Sequence, residues 1–168
     1  MACPTEGNVE VACNAYGQTI KVETVLPGGQ VSNGVLKGTL TNQGWVSNLT
    51  ITITGKLIGG TVTGYIKNQG VMLDFDFKGM SIIGGRLGGN LRNTSKTGGF
   101  FQDVTLLPKT QITGGTLKGT IKGDQNSPAL LEQVRIKSGS HLSGVKLGKG
   151  VKLEKGVVLE KGVVMENP

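Results

Sequence analysis

Short runs in which apolar and polar residues alternate are spread along most of the chain. Four of them read TITITGKLIGG from Thr50, LDFDFKGMSIIGG from Leu73, VTLLPKTQITGG from Val104 and VRIKSGSHLSG from Val134. Alternation of this kind, rich in β-branched and aromatic residues, predicts strands, and no window carries a sustained helical stripe with caps. These runs lead into copies of a nine-residue phrase. It reads GVLKGTLTN from Gly34, GTVTGYIKN from Gly60, GRLGGNLRN from Gly85 and GTLKGTIKG from Gly115, with a degenerate fifth copy at Gly144. The four starts lie 26, 25 and 30 residues apart, a period that points to a solenoid or array.

Position by position, the phrase has two aliphatic columns. The third residue is Leu36, Val62, Leu87 and Leu117; the seventh is Leu40, Ile66, Leu91 and Ile121. Between them stands Gly38, Gly64, Gly89 or Gly119. Two inward residues four apart with a glycine midway fit two short extended segments turning at a corner, where glycine adopts angles that a Cβ forbids. The ninth position holds Asn42, Asn68 and Asn93, then Gly123, and is expected to form an amide ladder from coil to coil. The fold expected is all-β: a single-domain parallel β-solenoid with coils of about 25 to 30 residues, one per repeat, stacked about 4.8 Å apart. Residues 1–24 are expected to form an N-terminal cap or exchanged strand, 25–144 the solenoid repeats, and 145–168 a terminal coil that continues them.

That terminal coil has its own rhythm. Leu147, Leu153, Leu159 and Met165 stand six apart, with Val151, Val157 and Val163 interleaved. This pattern resembles the hexapeptide repeat of left-handed parallel β-helices, which implies about one coil from three hexads. The GGTLKGTIKG style of repeat is similar in texture to bacterial surface-protein repeat arrays and, more loosely, to bactofilins, cytoskeletal β-helix proteins that polymerise end to end. The longer coil and the N-terminal cysteines depart from the bactofilin pattern.

Composition narrows the picture. Glycine makes up 29 of the 168 residues against only 5 prolines, and the glycines recur in register, which argues against a disordered low-complexity chain. A hydrophobic content of 36% implies a narrow core. No stretch reaches the roughly 20 apolar residues that cross a bilayer, and the opening MACPTEGNVE lacks a basic start followed by an apolar run. Cys3 and Cys13 are the only cysteines. They suit a disulfide, a bond of exported proteins, with two free thiols or a metal site as the alternatives.

Candidate chemistry is sparse. His141 is the only histidine, so a Ser-His-Asp arrangement has at most one base to draw on. Asp74 and Asp76 alternate with Leu73, Phe75 and Phe77. They are expected on one strand face, at a separation that touches the range of an inverting glycosidase, though a solvated strand side explains them as well. Thr50, Thr52, Thr54, Thr61 and Thr63 suggest an ice-binding array, but the matching positions of the next unit are Asp and Arg. The net charge is +7; Lys67, Arg92 and Lys122, at the eighth repeat position, are expected to stack into a basic row able to meet a polyanion.

The reading that follows is a structural protein with no enzymatic role and no cofactor or metal. It is an extracellular or cell-surface β-solenoid that self-associates head to tail through its ends, as subunit of a filament or segment of a surface fibre or adhesin. A module binding anionic polysaccharide and a cytoplasmic, bactofilin-like polymer are the alternatives. Specific nucleic-acid reading is not expected, because stacking aromatics are scarce.

Overall fold

The computed structural model describes residues 1–166, and among these no helix occurs. The chain winds into a single parallel β-solenoid of about nine turns. Its strands, from Asn8–Val9 to Val164–Met165, all pair in parallel with the turns above and below. They fall on three faces. Face I begins with Asn8–Val9 and Thr24–Val25, face II with Ala12–Asn14 and Gln30–Ser32, and face III with Val35–Leu36 and Thr50–Ile51. Two long strands, Thr61–Asn68 and Asp76–Ile83, bend round the corner between faces II and III and join those faces into one sheet. Each bends at a glycine, Gly64 with φ +70° and Gly79 with φ +52°, backbone that L residues seldom adopt.

The core is a stack of aliphatic columns inside the triangle. Face I stacks Leu40, Leu57, Met72, Leu87 and Leu106. Face II stacks Cys13, Val31, Val46, Val62 and Phe77, then Leu91, Ile112, Leu131, Leu147 and Met165. Face III stacks Ile66, Ile82, Phe101, Leu117, Ile136 and Leu153. Phe77 meets Phe101 edge-on with centroids 5.0 Å apart and Phe75 at 6.4 Å, filling the middle turns with the largest side chains. Leu36, Leu40, Val62, Ile66, Leu87, Leu91, Leu117 and Ile121 are all fully buried.

The turn is shorter than the repeat. Successive turns are spaced by about 17 residues, not the 25 to 30 expected from the repeat. The phrase spans two faces: Leu36 lies on face III and Leu40 on face I, Val62 on II and Ile66 on III, Leu87 on I and Leu91 on II. It then returns after five faces, not three. From Leu36 to Leu117, three repeats wind five rungs, and the fourth copy regains the faces of the first. The two aliphatic positions therefore do not form separate ladders; Leu40 from the seventh position and Leu87 from the third share one column.

The terminal hexads do match one turn. Leu147 pairs Met165 on face II, while Leu153 lies on face III and Leu159 on face I. Val151, Val157 and Val163 pack against the core from between them.

Candidate functional site

Two corner devices hold the rungs together. The first joins the asparagine that ends each phrase to the glycine pair one rung on. Asn42 sits against Gly60, Asn68 against Gly85 and Asn93 against Gly114. The expected asparagine ladder is not formed, because 25 or 26 residues carry the phrase past the rung above: Asn42 is on face I beside Val25, Asn68 on face III beside Ile51, Asn93 on face II beside Phe77. Each amide oxygen instead accepts a local N–H, from Gly44 at 3.0 Å, Gly70 at 2.9 Å and Ser95 at 3.2 Å. Asn42 Nδ2 also donates to the carbonyls of Gly59 and Thr61 on the next rung. Asn68 Nδ2, equally buried, has no partner among the described residues.

The second device escaped the sequence reading. Asn48, Asp74 and Asp103 stand at the corners after faces II, I and III respectively, with φ of 53°, 52° and 52°, a left-handed conformation that Asn and Asp tolerate better than other side chains. Their Oδ1 atoms reach to the next rung and accept the N–H of Tyr65 at 2.9 Å, Asn90 at 2.9 Å and Thr120 at 2.8 Å. A Cβ on Gly64, Gly89 or Gly119 would run into those same oxygens. The fifth-position glycines are thus required twice, for their positive φ and for the side chain below. Gly38 differs, having neither. The signal in the sequence is apolar, any, Asn or Asp, apolar, any, apolar: VSNLTI, MLDFDF and FQDVTL.

These corners change the sequence-predicted sites. Asp74 is not on a strand beside Asp76; it is the corner residue, while Asp76 opens the strand Asp76–Ile83 and pairs with Arg92 through Nε at 3.2 Å. Lys67, Arg92 and Lys122 do not stack, since they lie on faces III, II and I for the same reason as the asparagines. His141, on face I, bonds Glu160 Oε1 through Nδ1 at 2.7 Å. Thr61 stands between Trp45 and Asp76, so the threonine array is broken there. Among the described residues, no three His, Cys, Asp or Glu side chains converge as a metal site would require, and no helix is long and apolar enough to cross a membrane.

The two ends are unlike. At the first rung Cys3 and Cys13 are joined by a disulfide with Cα atoms 4.8 Å apart, Ala2 bridges Asn14 in parallel, and Val9, Cys13 and Ile20 are buried. At the last described rung, Leu153, Leu159 and Met165 point along the core columns yet are 40%, 42% and 59% exposed. Charge differs as well. The first 24 residues carry Glu6, Glu10 and Glu23 against Lys21, whereas Lys146, Lys149, Lys152, Lys155 and Lys161 outnumber Glu154, Glu160 and Glu166 in the terminal coil.

No protein-family model, curated protein sequence or solved structure matches the chain. The resemblances to hexapeptide-repeat proteins, surface arrays and bactofilins therefore rest on texture and on the β-solenoid architecture alone.

Proposed function

We propose that the chain is a structural, self-associating β-solenoid, a subunit of a filament or a segment of a surface fibre. The observation that supports this reading is the last described rung, formed by Lys152–Leu153, Val158–Leu159 and Val164–Met165, whose column residues Leu153, Leu159 and Met165 are exposed among the described residues. Parallel edge strands with unpaired backbone groups and exposed column residues template a further rung. A second copy is the fitting cover: an acidic first coil complements a basic last coil, and unlike ends favour head-to-tail contacts that propagate rather than close. The Cys3–Cys13 disulfide supports an extracellular or cell-surface setting, where such bonds persist. Electron microscopy of the purified protein tests the reading. Filaments with an axial repeat of about 43 Å, nine rungs of about 4.8 Å, are expected. Replacing Leu159 and Met165 with lysine should abolish them, and particles that stay single at high concentration would contradict it.

A further inference from the structure

A groove of about 750 Å³ runs along face II, parallel to the solenoid axis. Its wall is a column of outward side chains in strict register over five rungs: Trp45, Thr61, Asp76, Arg92 and Thr113. A second line, two residues earlier on each rung, supplies Gln43, Asp74, Asn90 and Gln111. Gly44 and Gly60 recess the surface between them. Neither tolerates a side chain, because a Cβ on Gly44 would strike the Gly29 carbonyl and one on Gly60 the Asn42 amide, so the hollow follows from how the rungs pack.

We propose that this groove binds an uncharged oligosaccharide laid along the axis, with successive sugar units on successive rungs. The chemistry of the lining selects that class. Amide, carboxylate, guanidinium and hydroxyl groups offer donors and acceptors in alternation, as ring hydroxyls require. The exposed indole of Trp45 presents an apolar plane for the C–H face of a pyranose. The Lys78 ammonium lies over the ring, 4.1 Å from its centroid, a cation–π contact. The rung spacing of about 4.8 Å is close to the length of one sugar unit, so each ring meets a fresh pair of side chains.

Other ligand classes fit less well. Asp74 and Asp76 line the groove together with Arg92, which is already paired with Asp76, while the Lys78 ammonium is engaged over the Trp45 ring; two carboxylates and no uncommitted cation among the described residues there disfavour phosphates and uronates. A peptide strand would need a free sheet edge, yet here each strand is paired on both sides by its neighbouring rungs. The site lies on a side face, away from the end contact proposed above, and does not depend on it.

Trp45 is the only tryptophan, so its fluorescence reports the groove directly. The full chain is titrated with cellohexaose, chitohexaose and mannohexaose, and with heparin and polygalacturonate as charged counter-probes. A saturable change in emission with at least one uncharged hexamer is expected, persisting at high salt. By calorimetry, Thr61→Arg, which fills the groove, and Trp45→Ala should each weaken that binding at least tenfold, while Lys118→Ala on face III leaves it unchanged. No saturable change with any of the three hexamers overturns the proposal. So does binding that survives both groove variants, or a response confined to the charged polymers.

Discussion

The side-chain amide of Asn42 occupies the space that a Cβ on Gly60, one rung above, would need. The same relation holds for Asn68 and Gly85. Where the phrase ends in Gly123 instead, the residue above is Gly144, pressed so closely that its carbonyl takes the Cβ position. Asparagine below and a glycine pair above are one unit, which explains why the sequence repeats them together.

Gly60→Ala should therefore be costly. It places a Cβ at φ +68° and against the Asn42 amide, and the strain and overpacking together are expected to remove about 2–5 kcal/mol. Pairing it with Asn42→Gly should restore part of the loss by vacating the space. Urea titration of the three variants, with the pair no better than Gly60→Ala alone, would contradict the coupling.

Asn42 and Asn68 should respond differently to truncation. Asn42 uses both ends of its amide, whereas Asn68 satisfies its oxygen and leaves Nδ2 without a partner. An unpaired buried donor costs about 1–3 kcal/mol, so Asn68→Ala is expected to destabilise less than Asn42→Ala by about 1 kcal/mol or more. Equal losses in matched denaturation curves would count against the assignment.

The fold class was legible because glycine, an aliphatic pair and alternating runs recur with a fixed grammar from Gly34 to Gly123. Coil length was not. A repeat of 25 or 26 residues reads as one turn unless the chain is known to be three-sided; with about 17 residues per turn the phrase moves to another face each time. That single fact dissolves the ladder of Asn42, Asn68 and Asn93 and the row of Lys67, Arg92 and Lys122. Asp74 was misread because alternation with Phe75 and Phe77 looks like a strand, and only its φ of 52° shows a corner. The six-residue step from Leu147 to Met165 was read on the right scale, since three hexads fill one turn.

At the second corner device, the acceptor oxygen matters more than the charge. Asp74→Asn should be well tolerated, because Asn48 already makes the same bond to Tyr65 N–H. Asp74→Ala loses the acceptor for Asn90 N–H and keeps a strained φ, and is expected to cost about 1–3 kcal/mol. Thermal melts ranking Asn with Ala rather than with the native protein would refute this.

Reducing the Cys3–Cys13 bond opens a short loop at the first rung. A loop of this length contributes about 2–3 kcal/mol, and in a solenoid the effect should stay near the end where it acts. Hydrogen exchange with and without reductant should show faster exchange in residues 1–25 and little change beyond Val46. Uniform loss of protection along the chain would contradict a rung-by-rung architecture.

The three-faced spiral is defined by which residues lie on neighbouring rungs, and solution NMR reads that directly. Cross-strand NOEs in the parallel pattern are expected to link Val46 to Val62 and Val62 to Phe77, and to link Leu40 to Leu57. Contacts that instead join Leu36 to Val62 and Val62 to Leu87, one repeat apart, or an antiparallel pattern between adjacent segments, would contradict the three-faced spiral.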